Sequence, residues 1–207
     1  MDLEFKSYLK SLADSLDATQ VTDVDGHALS PGEAVKRVIE KAQSVHADGC
    51  KLVFVGNGGS AGIASHMAID YTKNGNLRSL AMNDGAALTC LANDLGYENV
   101  FSKQLEMHGR AGDLLLAISS SGNSPNILNA VQQARLSKMH VVTFSGFKPD
   151  NKLRKLGDVN FYVPSREYGF VEISHLALCH SILDLAMGWR AEGWQAKPAN
   201  RQRSAAR

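Results

Sequence analysis

Apolar and polar residues alternate with two different rhythms along the chain, and the change of rhythm near Lys51 divides it. Over residues 2–17, Leu3, Phe5, Leu9, Leu12 and Leu16 recur near helical spacing with Lys and Asp between them, which predicts an amphipathic helix. A polar link, TDVDGHA, interrupts the pattern. Ser30, Pro31, Gly32 and Glu33 then form an S-x-x-E capping box with proline at the first helical position, and Val35, Val38, Ile39, Ala42 and Val45 continue along one face of a second helix. Beyond Lys51 the apolar residues become continuous. Residues 53–55, 77–82, 114–119, 140–145 and 159–163 are short apolar runs suited to buried strands. Helical patterns over 86–93, 99–108 and 127–136 separate them, the polar stretch NKLRKLG is helix-prone, and a last helical pattern covers 170–187. Strands alternating with helices predict an α/β fold, a three-layer sandwich whose central parallel sheet is flanked by helices.

Three regions follow: N-terminal helices over 1–48, the α/β domain over 49–188, and a weakly ordered basic tail over 189–207. The tail carries five basic residues, one acid and no apolar periodicity. The two N-terminal helices either cover the sheet or, through the apolar stripe of the first, serve a helical oligomer interface. At 207 residues and 44% hydrophobic composition, the chain can bury one sizeable core. Its formal net charge of +1, from 22 basic and 21 acidic residues, draws it to neither nucleic acid nor acidic membranes. Cys50, Cys90 and Cys179 are odd in number and widely spaced in apolar sequence, unlike a disulfide framework or a CxxC metal site, so a cytoplasmic setting is expected. The amphipathic, acid-containing start and the lack of a bilayer-length apolar run argue against a signal peptide and a membrane span.

Two glycine- and serine-rich turns follow two of the strands. In KLVFVGNGGSAGIASHMAID, Gly56, Gly58 and Gly59 permit close approach of backbone to a ligand, Ser60 is expected as an N-cap, and the helix then opening presents its N–H groups to negative charge. The second turn offers the hydroxyls of Ser119, Ser120, Ser121 and Ser124 before the helix that Pro125 starts, a setting for phosphate that needs no lysine. Neither turn matches G-x-x-x-x-G-K-[ST] or a full G-x-G-x-x-G, so no nucleotide cofactor is expected. His66 and Asp70 share one helical face at i and i+4. Glu172 and His180 stand on the last helix a little over two turns apart, with His175 beside Glu172. Ionisable groups on so apolar a helix are costly unless paired, hydrogen-bonded or bound to metal, and imidazole with carboxylate suits zinc. A metal or catalytic site and a structural hydrogen-bond network both satisfy that requirement.

The segments GNGGSAGIASHMA, LANDLGYENVFSKQLE, GDLLLAISSSGNSPNIL and VPSREYGFVEISHLALCHSILDL together resemble the sugar isomerase (SIS) domain family, a flavodoxin-like α/β fold, and within it the bacterial phosphoheptose isomerases, over about residues 50–187. The resemblance implies an isomerase interconverting sedoheptulose 7-phosphate and D-glycero-D-manno-heptose 7-phosphate, assembled as a homotetramer with active sites between subunits. By position it implies that Asn57, Gly58, Gly59, Ser60, Asn93, Asp94, Ser119, Ser120, Ser121, Ser124 and Glu172 contact substrate, with the serines on phosphate. It also implies that His66, Asp70, Glu172 and His180 hold zinc, and that Asp70, His180 and Glu172 are catalytic. Two of these positions depart from the family, which has Glu where this chain has Asp70 and Gln where it has Glu172. Gly169 stands where the family usually carries an acid, and Lys73 near where it has arginine. A different sugar phosphate as substrate, or a non-catalytic phosphosugar-binding or protein-binding regulator, is the alternative reading.

Overall fold

In a computed structural model, which describes residues 1–194, the chain folds as a seven-stranded sheet between two layers of helices. Helix α1 (Asp2–Asp17) leads into a hairpin of β1 (Gln20–Asp23) and β2 (Ala28–Leu29), then α2 (Pro31–Ala47). There follow β3 (Leu52–Gly56), α3 (Gly59–Lys73), β4 (Ser79–Ala81), α4 (Gly85–Leu95), α5 (Val100–His108), β5 (Leu114–Ser119), α6 (Pro125–Leu136), β6 (His140–Ser145), β7 (Val159–Tyr162) and α7 (Tyr168–Ala186). The NKLRKLG stretch makes only a short 3-10 turn, Leu153–Lys155.

The strand order is β2-β1-β7-β6-β5-β3-β4. From β7 to β4 all neighbours are parallel, as expected, but β1 joins β7 antiparallel, with Val21 opposite Phe161, and β2 follows antiparallel. That hairpin is a correction to the polar link read from TDVDGHA. Its strands are too short to display a period, and its register rests on Val21, which is buried, and on the Asp23 carboxylate, which accepts from the N–H groups of Asp25 and His27 across the turn. From β3 the chain runs outward to β4 on one side, while from β5 it runs to β6 and β7 on the other. The reversal falls between β3 and β5, where an open α/β sheet has a crevice beyond its carboxyl ends.

The two faces of the sheet bury separate cores. Leu52, Phe54, Leu116, Ile118 and Phe144 pack against α2, α3 and α7, and Val53, Val55, Leu115, Ala117 and Val141 pack against α5 and α6. Helix α7 is long and apolar enough by length and composition to cross a membrane, yet Val171, Leu178, Ile182 and Leu183 are buried in the first of these cores. One half of the capping box is formed, with the Ser30 hydroxyl accepting from the Glu33 N–H at 3.2 Å. Of the expected tail, residues 189–194 instead contain a short antiparallel hairpin, β8 (Trp189–Arg190) with β9 (Gly193–Trp194), and residues 195–207 lie outside the described residues.

Candidate functional site

Both glycine- and serine-rich turns lie at the crevice. After β3 the chain turns at Gly58, whose φ of +54° is a left-handed conformation suited to glycine, and α3 begins at Gly59. Gly58, not Ser60, is therefore the N-cap, which corrects the expectation; Ser60 lies inside the first turn and is buried, lining the pocket. After β5, the Gly122 N–H donates to Ser119 Oγ at 3.2 Å, and Ser119 Oγ stands 3.5 Å from Ser124 Oγ. Gly122 has a φ of +61°, and a Cβ there would collide with Asn151, so the turn requires glycine twice over. Ser124 is the N-cap of α6 but its hydroxyl accepts from no N–H of that helix, and the buried Ser120 hydroxyl has no hydrogen-bond partner.

Asn57, Ser60, Ser119, Ser120, Ser121, Ser124, Tyr168 and Glu172 line one pocket of about 140 Å³. An anion there meets hydroxyls, open helix N–H groups and the positive ends of two helix dipoles, with no Lys or Arg among the lining residues. A larger cavity, of about 510 Å³, lies beside α2 at the start of β5 and β6, but its lining has no converging hydroxyls.

Sequence reasoning passed over the residues that hold Asn57 in place. Asn57 and Asn126 exchange amide hydrogen bonds, Nδ2 to Oδ1, at 2.9 and 2.8 Å, and the Tyr97 hydroxyl donates to Asn57 Oδ1 at 3.2 Å. Asn126 is buried in the first turn of α6. Its signal was a polar residue two places after Ser124 at the start of a helix whose other inward residues are apolar. Tyr168 likewise lines the pocket from the start of α7, its ring edge-on to Phe147.

His66 and Asp70 on α3 meet His180 on α7. The His66 Nε2 atom lies 3.3 Å from Asp70 Oδ2, and the rings of His66 and His180 are 5.4 Å apart. One ligand atom from each of the three falls within 4.8 Å of the others. Two imidazole nitrogens and one carboxylate oxygen suit zinc, and three protein ligands are the number that catalytic zinc sites use while leaving a position for water or substrate. Glu172 is outside this group. Its carboxylate rests on the first residue of α3, where a Cβ on Gly59 would collide with it, and so faces the serine pocket.

The remaining candidates are dispersed. Asn93 and Asp94 are exposed on α4, with Asn93 Nδ2 donating to Asp94 Oδ1 at 2.8 Å, and neither lines the serine pocket. His175, which the helical spacing put beside Glu172, turns away into the core, where its Nε2 donates to the Ser145 carbonyl at 3.1 Å.

The SIS domain family model matches residues 8–146 of the chain. A phosphoheptose isomerase of Aneurinibacillus thermoaerophilus is 35% identical over 185 residues, covering 86% of this chain and 91% of its own. Among solved structures, phosphoheptose isomerase from Neisseria gonorrhoeae is 35% identical with a TM-score of 0.69, covering 74% of this chain and 86% of its own. One from Francisella tularensis is 26% identical with a TM-score of 0.74, covering 90% and 98%.

Proposed function

This chain belongs to the SIS-domain family and, within it, to the phosphoheptose isomerases, and on that premise we propose that it interconverts sedoheptulose 7-phosphate and D-glycero-D-manno-heptose 7-phosphate in the crevice between β3 and β5. The protein is an aldose-ketose isomerase. The serine turn holds the phosphate, a role supported by the unmet Ser120 hydroxyl and the uncommitted Ser124 cap. Asn57, kept in orientation by Asn126 and Tyr97, and the backbone at Gly58 and Gly59 take the sugar hydroxyls.

Isomerisation requires a base that removes the proton from C2 of the aldose and returns it to C1, while a proton is gained at O1 and lost from O2 on either side of the cis-enediol. The observation that carries our assignment is the separation of the two carboxylates. Glu172 shares the pocket with the serines, whereas Asp70 is engaged with His66. Glu172 therefore moves the proton between C1 and C2, and His66, Asp70 and His180 hold zinc. Bound there, the metal supplies electrophilic polarisation of the sugar oxygens. A second reading, with Asp70 as base and His180 as acid, draws on the hydrogen-bonding distance between Asp70 and His66.

Purified, zinc-loaded protein is expected to interconvert the two heptose phosphates and to exchange a C1 or C2 proton with solvent deuterium. Glu172→Gln should lower turnover and exchange together by about 10²–10⁴-fold with unchanged zinc content, while Asp70→Asn should lower the zinc content itself. Loss of exchange in Asp70→Asn at full zinc occupancy, with Glu172→Gln still active, would transfer the base role to Asp70. Absence of exchange in the parent protein on heptose phosphates would overturn the isomerase reading. A homotetramer with sites at subunit interfaces and a cytoplasmic setting belong to the same proposal.

A further inference from the structure

The groove between α6 and the segment following β6 has no part in the reaction described above. Its volume is about 810 Å³, within the range of small-molecule sites. One wall is the flank of α6, where the half-buried Leu128 lies beside the amides of Asn129 and Gln132 above the buried Val131; the other presents Leu156, Lys152 and Lys155. Arg135 and Asp158, also in the lining, are paired at 2.7 Å. The ammonium groups of Lys152 and Lys155 are exposed and have no hydrogen-bond or ion-pair partner among the described residues. With Asp150 as the remaining carboxylate, the groove carries three cations against two acids over an apolar floor. The side chains supply the charge here, so no glycine-rich nucleotide motif announces the site in the sequence.

Both walls carry the serine turn. Helix α6 starts directly after Ser124. The facing segment is bonded to the turn itself: the Leu153 N–H donates to the Gly122 carbonyl at 3.0 Å, and the Lys152 N–H donates to Asn123 Oδ1 at 3.2 Å. Between them the buried Asn151 fills the space beside Gly122 and donates to the carbonyls of Gly146 and Lys148 at 3.2 and 2.8 Å. A ligand spanning the groove therefore acts on both supports of the phosphate-holding turn at once.

We propose that this groove is an effector site for an organic phosphate with an apolar, hydrogen-bonding body, the chemistry of a nucleoside monophosphate, and that its occupancy alters the affinity of the serine turn for phosphosugar. The phosphate lies on Lys152 and Lys155, the flat body lies on Leu128 and Leu156, and its polar edge meets Gln132. Coupling follows if the ligand binds one arrangement of the two walls better than the other, since only such a difference shifts an equilibrium.

Calorimetric titration of the full chain with AMP, GMP, CMP and UMP, and separately with adenosine and inorganic phosphate, tests the site without reference to catalysis. At least one monophosphate should bind more tightly than either half-molecule, and sugar phosphate should not displace it. Lys152→Glu with Lys155→Glu should weaken that binding about tenfold or more, with the thermal melt and the basal kcat unchanged. Saturating monophosphate should change KM for the sugar phosphate by about fivefold or more. Only this last arm rests on the isomerase reading. No binding of any monophosphate at millimolar concentration overturns the proposal. So does binding that sugar phosphate displaces and the double substitution leaves intact, because that ligand occupies the serine pocket. A change in solution mass on the double substitution would identify the groove as an interface between copies and would also overturn it.

Discussion

Three histidines lie on α3 and α7, and their surroundings give them different roles. His66 and His180 stand together with Asp70 near the surface, while His175 is fully buried beside Phe144. Burial pushes the His175 imidazole down from 6.5 to about 4, so it is neutral, donates from Nε2 to the Ser145 carbonyl, and leaves Nδ1 without a partner. Between pH 6.5 and 4 the unfolded chain binds a proton at this residue that the folded chain does not. The contribution is therefore fully present above pH 6.5 and is lost as pH falls towards 4, by on the order of 3 kcal/mol. Thermal melts from pH 7 to pH 4 should show a declining Tm, and His175→Gln should flatten that decline while lowering Tm at pH 7. Equal slopes for the two proteins would refute this assignment. Sequence spacing correctly put His66 and Asp70 on one face, because i and i+4 are neighbours on any helix. It misplaced His175 because α7 buries more than one side, and periodicity cannot say which polar residue on such a helix turns inward.

At the scale of elements, the parallel strands and the two glycine- and serine-rich turns were legible for one reason: a continuous apolar run ending in Gly and Ser requires both a buried strand and a turn where backbone groups remain open. The hairpin β1–β2 was hidden because its burial rests on Val21 within a four-residue strand. The capping box was readable, yet only half of it forms. The Glu33 carboxylate does not return to Ser30 but pairs with Arg37 at 2.6 Å, an i,i+4 contact on an exposed face. The stabilisation at this helix end therefore comes from the Ser30 hydroxyl and from Pro31 at the first position. Ser30→Ala should cost about 1 kcal/mol, whereas Glu33→Ala should cost only a few tenths. Denaturant titration of the two variants compares them directly, and an equal loss for both would mean that the glutamate contributes to the cap after all.

At the scale of the molecule, α1 is the element whose packing within one chain is least complete. It buries no residue, and Leu3, Phe5 and Leu9 are 75, 61 and 47% exposed. It touches the domain through Leu16, which packs against the core near the end of the helix, and through Tyr8, whose ring stands edge-on to Phe170 at 4.8 Å; a Cβ on Gly169 would lie only 3.2 Å from the Tyr8 hydroxyl. Helix α1 thus meets the start of α7 within a few residues of Tyr168 and Glu172, and Ile173 on α7 is exposed as well. An amphipathic helix with an uncovered stripe beside the shallow serine pocket is the form expected where a second copy completes both, and of the two readings that the sequence left open for α1 the oligomer interface is therefore the one we propose. Each large apolar side chain withdrawn from water at such an interface contributes about 1.5–3 kcal/mol. Phe5→Glu combined with Leu9→Glu should therefore reduce the solution mass measured by light scattering, and should raise KM for sugar phosphate in step with dissociation because the pocket loses its cover. Circular dichroism should remain that of the folded domain, since neither side chain belongs to its core. An unchanged mass together with unchanged KM would return α1 to a surface helix and would require the pocket to act as it stands within one subunit.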